Sequence, residues 1–411
     1  ARFGHRVLSL LRFCMAERPA ACRYAKDRGP QSTGLAVMLS LAAALAAGPT
    51  EAQDASAASA APPSSANSAT VVPASPAAAS AAAQWVPVTR IAGRLRAADL
   101  GLIINTADPY SVQVGEHYIA ARQLQPEQVL RLALPVKPAL SRGEFEGLRE
   151  AIAAHFGAAT QALALAWTQP FAVECNAITG ALALGFDAEL CRKSCNPSRP
   201  SNYFNARTAR PYADLGWRPS MLLAAGSVMQ AKALIDRGVA SDHTLALRGR
   251  PPVNAMMLAT GDGARRVRMP LYPPPGLIRG AGVEVRHAPA AELNTVPRVL
   301  LAITGSVHLA LDPAPDWVPD GLADHLTSVG GRLVPDNNQA SVLEWIDSGA
   351  TASHGAVSEP CNHLQKFPHP QLLLLHYLQG ATALEAYWKS VAWPQQSLFV
   401  GEPLAAPFAR R

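Results

Sequence analysis

The sequence predicts an α/β protein built on a doubly wound, mostly parallel β-sheet. Short apolar runs of strand length alternate with stretches in which apolar residues recur at helical spacing. Such alternation is typical of a parallel sheet that is covered by helices on both faces. The turn signals are too few for a β-sandwich, and no internal repeat is present. We therefore expect a single large domain over residues 85–411.

Each predicted strand is a short apolar run bounded by turn residues. Continuous runs such as LGLIIN indicate strands that are buried on both faces. These strands are residues 100–105, 130–135, 162–167, 220–226, 253–261, 298–304 and 397–401. The predicted helices share apolar residues at steps of three or four. The first predicted helix follows the Asp108-Pro109 turn. The others cover residues 141–157, 228–237, 340–347 and 371–390. Ser141 and Glu144 form a capping box at the start of the second helix.

A loop-rich, cysteine-containing excursion at residues 172–217 interrupts this alternation. It contains Cys175, Cys191 and Cys195, and Cys361 follows much later. Four cysteines in an oxidising compartment permit disulfides, whereas buried free thiols, or a zinc site that uses the Cys191–Cys195 spacing, are the alternatives. We predict that Cys191 pairs with Cys195 or with Cys175, and that Cys361 stays reduced.

The N-terminal part of the chain has the pattern of an export signal. Residues 34–48 are apolar and uncharged, follow a basic flank, and lead to small residues near Ala52. This stretch is shorter than the roughly 20 apolar residues that span a bilayer. It predicts a cleavable signal peptide within a leader over residues 1–52, with an uncleaved anchor as the alternative. Residues 53–84 are nearly all Ala, Ser and Pro and predict a disordered spacer. We expect an exported protein, periplasmic or extracellular.

The charge distribution argues against a nucleic-acid partner. The chain has 36 Lys and Arg against 30 Asp and Glu, a net charge of +6. Seven of the basic and three of the acidic residues lie in residues 1–52, so the remainder has 29 against 27. The arginines of residues 260–268 predict a solvated helix start, with an anion site as the alternative. No nucleotide-binding or metal-binding motif occurs, so no cofactor and no metal are predicted. The partner stays unidentified, and we expect no membrane contact beyond the signal peptide.

Polar, glycine-rich sequence follows several predicted strands. In an open parallel sheet, ligand sites form at the carboxyl ends of strands. The first such segment, residues 303–331, contains Asp324, His325 and Ser328. A carboxylate, an imidazole and a hydroxyl are the groups that acyl transfer uses. The alternative is a helix end whose hydroxyls bond the backbone.

Two further segments carry candidate residues. Residues 349–370 contain Glu359 and Cys361, and a cysteine near a histidine can act as a nucleophile. The alternative is a structural cysteine, buried or disulfide-bonded. Glu402 directly follows the last predicted strand and can bind a cation or a substrate amine, with capping or a salt bridge as the alternative. If all three segments follow neighbouring parallel strands, they should line one cleft.

Several long motifs occur in an order that is similar to a family of exported bacterial proteins of unknown function. They are DHLTSVGG (324–331), GATASHGAVSEPCN (349–362), KFPHP (366–370), EAYWKSV (385–391) and GEPLAAPF (401–408). The resemblance covers roughly residues 98–408. It implies export, and it implies no particular activity.

The layout also resembles, more distantly, the caspase-like peptidases of the gingipain type. In those enzymes one strand ends in the Gly-His of a catalytic dyad and the next ends in the nucleophilic cysteine. The matching positions here are Thr304-Gly305 and Thr327-Ser328. The resemblance implies a caspase-like fold. The departure at both dyad positions implies that the protein is not an active cysteine peptidase.

Two functions therefore stay open at this point, and so does the question of whether the protein is an enzyme. The first is a catalytically silent binding or scaffold protein on a caspase-like fold. The alternative is a secreted or periplasmic hydrolase with a serine or cysteine nucleophile within residues 324–366. Its candidate catalytic residues are Asp324, His325, Ser328, Glu359 and Cys361.

Overall fold

The computed structural model describes residues 86–334 and 338–410. The predicted leader and the predicted spacer, residues 1–52 and 53–84, lie outside these residues. Within the two described ranges, no helix is both long enough and apolar enough to cross a membrane.

The described residues contain fourteen strands and nine helices, numbered here in chain order. The strands are β1 (Leu100–Asn105), β2 (Val129–Leu132), β3 (Ala139–Leu140), β4 (Ala162–Leu165), β5 (Ala172–Val173), β6 (Asn176–Ala177), β7 (Ser220–Leu222), β8 (Val253–Ala259), β9 (Gly276–Ile278), β10 (Val283–Pro289), β11 (Val299–Thr304), β12 (Trp317–His325), β13 (Ala352–Ala356) and β14 (Ser397–Gly401). The helices are α1 (Pro109–Arg122), α2 (Arg142–His155), α3 (Ile178–Leu184), α4 (Ala188–Arg192), α5 (Pro211–Leu215), α6 (Val228–Ser241), α7 (Val342–Asp347), α8 (Pro370–Leu378) and α9 (Ala383–Ser390).

Eleven of the strands form one sheet, in the order β2-β1-β4-β7-β14-β13-β12-β11-β8-β10-β9. Neighbouring strands are parallel except at two places, where β14 lies beside β13 and β9 lies beside β10. Strands β3, β5 and β6 form a separate small sheet. The predicted α/β class with a large, mostly parallel sheet is therefore confirmed.

The antiparallel contact between β13 and β14 divides the large sheet into two parallel sets. Ala352 pairs with Gly401, and Ala356 pairs with Ser397. The set that contains β14 runs in one direction, and the set that contains β13 runs in the other. The carboxyl end of β14 consequently lies beside the amino end of β13. A shared cleft required all three strands to be parallel neighbours. Because β14 is antiparallel to β13, residues 401–408 do not share a cleft with the loops after β12 and β13.

Helices lie on both faces of the sheet. Trp345 of α7 bonds His325 of β12 on one face. Side chains alternate along a strand, so Asp324 points to the other face. On that other face Trp388 of α9 stacks on Phe399 of β14, with ring centroids 4.7 Å apart. The centre of the sheet is thus buried on both sides, as the apolar runs predicted.

Several predicted elements differ from the observed ones. The helix-end alternative for residues 324–328 is wrong, because Asp324 and His325 are the last residues of strand β12. Strands β9 and β10 were not predicted at all. The predicted helix over residues 371–390 is two helices, α8 and α9, separated by Gly380 in the left-handed region at φ 93°. The excursion at residues 172–217 carries β5, β6 and the short helices α3, α4 and α5.

The predicted capping box at α2 is confirmed. The Ser141 hydroxyl accepts the Glu144 backbone N–H, and the Glu144 carboxylate accepts the Ser141 backbone N–H at 2.7 Å. Local signals of this kind depend only on residues three apart, which is why they could be predicted from the sequence.

Candidate functional site

A cavity of about 310 Å³ lies at the carboxyl ends of β12 and β13. Because the two strands are parallel neighbours, the segments that follow them meet at this place. The cavity is lined by Ala264, Arg265, Leu326, Thr327, Ser328, Glu359, Pro360, Cys361, Asn362 and Phe367. We call it the β12/β13 pocket. It brings Ser328, Glu359 and Cys361 together, whereas Asp324 and His325 do not line it.

Asp324, next to the last residue of β12, is a buried, fully paired carboxylate. One oxygen forms an ion pair with the Arg268 guanidinium, and the other accepts the Nδ1–H of His354 at 3.0 Å. Burial would raise the pKa of Asp324, but the charge of Arg268 and the bond from His354 outweigh it and hold the pKa below its usual value. Asp324 is therefore a fixed anion.

Both ring nitrogens of His325 are used in structural bonds. Nδ1 accepts the indole N–H of Trp345 at 3.0 Å, so the proton of the neutral ring lies on Nε2. Nε2 donates to the Ala340 carbonyl at 2.9 Å. Burial lowers the pKa of His325, which favours this neutral form. A histidine held in this way has no nitrogen left to accept a proton from a nucleophile.

Arg268 was missed by the sequence reasoning as a site residue. It lies in a short 3₁₀ turn over Arg266–Leu271, is only 1% exposed, and also donates to the Thr304 carbonyl at 2.9 Å. The prediction of a solvated helix start is wrong for this arginine. Its partner, the Asp324 carboxylate, lies on a distant strand, and no local pattern could show that pairing.

His354 of β13 is the second residue that the sequence reasoning missed. Its Nδ1–H donates to Asp324, and its ring lies against Phe367 and Phe399, with centroids 6.1 and 5.5 Å apart. Its Nε2 is buried and has no hydrogen-bond partner among the described residues. The signal in the sequence was the histidine inside the small-residue run TASHGA, one strand away from Asp324.

Cys361 is bonded to Cys195, so the prediction of a reduced Cys361 is wrong. The Cα atoms of this pair are 5.3 Å apart. The excursion folds against the loop after β13, where the Lys366 ammonium also donates to the Ser194 carbonyl at 2.8 Å. This contact places Cys195 beside Cys361, although 166 residues separate them in the chain. In this state Cys361 has no thiolate with which to attack a substrate.

The other two cysteines of the excursion follow one of the two predicted pairings. Cys175 is bonded to Cys191, with their Cα atoms 5.2 Å apart. The pairing of Cys191 with Cys195 is wrong, because Cys195 bonds Cys361 instead. Two disulfides are typical of proteins that fold in an oxidising compartment, which agrees with export.

The remaining pocket residues are held mainly through backbone bonds. The backbone N–H of Ser328 donates to the side-chain oxygen of Gln339 at 2.9 Å, and Glu359 accepts the Cys361 N–H at 2.7 Å. No hydrogen bond joins the Ser328 hydroxyl to a histidine within the described ranges. Thr327 lines the pocket, but its hydroxyl is buried against Gly330 and has no hydrogen-bond partner among the described residues. In the sequence Thr327 is only one residue of the DHLTSVGG motif. Its unpaired hydroxyl depends on three-dimensional packing, which a local pattern does not show.

Glu402 lies away from the pocket. It accepts the Tyr118 hydroxyl at 2.8 Å and pairs with the Arg122 guanidinium at 2.6 Å. Its backbone N–H donates to the Thr351 carbonyl, directly before β13 begins. The salt-bridge alternative thus describes Glu402, at the opposite end of β13 from the pocket.

No protein-family model matches the sequence, and no curated protein matches it. Two solved structures are similar. One is described as a protease, with a TM-score of 0.36 and 11% identity over 66% of this chain, which spans 62% of the length of that protease. The other is the Arg-specific cysteine proteinase gingipain R, with a TM-score of 0.39 and 10% identity over 78% of this chain and 80% of that one. These values are too low for either likeness to indicate an activity.

Proposed function

We propose that the protein is an exported binding protein without peptidase activity, and that its ligand occupies the β12/β13 pocket. The observation that supports this most strongly is the bonding of the candidate catalytic groups. Cys361 is in a disulfide, and both nitrogens of His325 are used. Acyl transfer needs a nucleophile and a base within hydrogen-bond reach of one another. The pocket contains no such pair among the described residues.

The shape and lining of the pocket favour a small, partly apolar ligand with one hydrogen-bonding group. Leu326, Pro360 and Phe367 supply apolar walls, and the half-buried Ser328 supplies a polar group. Binding sites commonly combine apolar walls with few, well-placed polar groups in this way.

The proposal is tested first by chemistry at Ser328 and Cys361. The purified, non-reduced protein is treated with a fluorophosphonate and with iodoacetamide, and labelled peptides are mapped by mass spectrometry. We expect neither residue to be labelled, because neither is an activated nucleophile. Labelling of Ser328 that is lost in Ser328→Ala would establish the hydrolase alternative and overturn the proposal.

The second test concerns binding. Ligand-observed NMR with a library of small amides and carboxylic acids is expected to find compounds that bind the wild type. Ser328→Ala, which removes the hydroxyl of the half-buried lining residue, should weaken them roughly five- to tenfold, the cost of about one hydrogen bond. Thr168→Val, beyond the end of β4, is the matched control. Equal binding to all three proteins would place the ligand elsewhere.

A further inference from the structure

A groove lined by arginines runs between the start of the described domain and its C-terminal segment. It consists of two adjoining cavities of about 660 and 470 Å³ that share three lining residues, Arg94, Arg96 and Arg410. Arg90 lines the larger cavity, and Arg122 lines the smaller one. We call this feature the arginine groove.

Four of these five guanidinium groups have no acidic partner among residues 86–334 and 338–410. Arg90, Arg94, Arg96 and Arg410 form no ion pair with any residue in the described ranges, as the ion pairs there include none of them. Arg122 differs, because its charge is balanced by Asp242 at 2.7 Å and by Glu402 at 2.6 Å. The groove therefore keeps most of its positive charge.

The neighbouring polar groups do not neutralise that charge. Arg94 donates to Nε2 of His243 at 3.5 Å, and Nδ1 of the same ring donates to the Ala409 carbonyl at 2.7 Å. Nε2 of this ring thus faces Arg94 as an acceptor, and the ring adds no negative charge to the groove. The Asp99 carboxylate accepts the backbone N–H of Arg96 at 2.9 Å and caps the turn that begins there. Four like charges in one groove repel each other, and an anionic ligand would relieve that repulsion.

The chemistry of the lining selects the kind of anion. A guanidinium presents a planar fork of donors that fits carboxylate and phosphate groups. Between the arginines the groove is also lined by the half-buried Ile91 and Leu378 and by the largely buried Phe408. Apolar surface between cationic groups fits an extended peptide in which acidic residues flank an apolar one better than it fits a bare polyphosphate.

We propose that the arginine groove binds an acidic peptide segment of a partner protein. The groove is continuous with Arg122, which pairs with Glu402 at the amino end of β13. The β12/β13 pocket lies at the opposite, carboxyl end of that strand. The two sites are therefore separate, and this inference is independent of the function proposed for the pocket.

The test uses the full folded chain and a short fluorescein-labelled peptide of glutamates around one phenylalanine. Binding is followed by fluorescence anisotropy, with a peptide in which glutamine replaces each glutamate as the control. We expect binding of the acidic peptide only. We also expect it to weaken steeply as the salt concentration is raised to about 0.5 M, since exposed charges are then largely screened.

Two matched double variants, one within the groove and one outside it, test where the acidic peptide binds. Arg94→Gln with Arg96→Gln should weaken the acidic peptide about 5- to 30-fold, the combined effect of two exposed charge pairs. Arg142→Gln with Arg279→Gln removes the same charge from two exposed arginines outside the groove and should change the affinity less than twofold. An equal effect of both double variants would show attraction to net charge only and overturn the proposal. Tighter binding of tripolyphosphate than of the peptide, lost in the same groove variant, would show a phosphate site instead.

Discussion

At the scale of single residues, the buried acids and bases differ in what their surroundings do to them. Asp324 is kept ionised by its partners, and His325 is kept neutral by its bonds. Asp320, four residues earlier on β12, is fully buried, and its carboxyl accepts the Thr244 hydroxyl at 3.2 Å. Burial, with Asp242 and Glu402 nearby, raises the pKa of Asp320 to about 8. At neutral pH this carboxyl is therefore protonated in the folded protein.

Asp320 is expected to make the stability of the protein depend on pH. In the unfolded chain its pKa returns to 3.8, so the folded state holds the proton more tightly between that value and about 8. This contribution is complete below the unfolded pKa and is lost as the pH rises through the folded pKa, by at most about 1.4 kcal/mol per pH unit. Asp320→Asn, which stays neutral, should flatten that part of the profile and be more stable than the wild type at pH 8.

The measurement is the free energy of unfolding in urea at several pH values between about 4 and 8. Asp312→Asn removes an exposed carboxylate from the loop before β12 and controls for the change in net charge. A profile with the same slope in Asp320→Asn and in the wild type would contradict the buried, protonated state.

At the scale of elements, the ion pair between Arg268 and Asp324 fastens the turn over Arg266–Leu271 to the sheet. Arg268 donates to Asp324 on β12 and to Thr304 at the end of β11. Moving the turn away from the sheet would therefore separate the charges of Arg268 and Asp324 in an apolar interior. An intact buried pair of this kind has little net effect on the stability of the fold. Removing one partner destabilises the fold strongly.

Arg268→Met should consequently destabilise the protein by about 3–5 kcal/mol, because Asp324 is left buried without its cation. Asp324→Asn should have a comparable effect on the free energy of unfolding. The double variant should lose clearly less than the sum of the two, since it leaves neither charge unpaired. Arg279→Met, at an exposed position beside β9, is the control. Additive losses in urea unfolding would mean that the two side chains act separately.

The elements also show which structure could be predicted from the sequence. The helix cap at Ser141 and the apolar strands were predictable because each depends on neighbours within a few residues. Strand β12 is absent from the predicted strands because its last residues, Asp324 and His325, are polar although they are buried. Their polarity is balanced by Arg268, His354 and Trp345, which come from other parts of the chain, and a local pattern contains none of these partners.

At the scale of the whole molecule, the two disulfides restrain the chain to different degrees. The bond between Cys175 and Cys191 closes a loop within the excursion, over a separation of 16 residues. The bond between Cys195 and Cys361 closes a loop over a separation of 166 residues, from the excursion to the loop after β13. The two loops do not overlap, so their effects on the unfolded chain should be independent.

Replacing Cys195 and Cys361 by serine should therefore cost more stability than replacing Cys175 and Cys191. Loop-closure entropy gives about 5 kcal/mol for the long loop and about 3 kcal/mol for the short one. Urea unfolding of the two double variants measures the difference, and peptide mapping of the unfolded wild type should find no free thiol at any of the four positions. A free thiol at Cys361 would restore it as a candidate nucleophile.

The position of β14 has a consequence for the order of folding. This strand is the last in the described chain, yet it lies in the middle of the large sheet, between β7 and β13. Until it arrives, β7 and β13 each present an unpaired edge, which is the kind of surface that invites pairing with another chain. Cooperative closure of the sheet must therefore wait for β14, because the two parallel halves lack their common neighbour until that strand is in place.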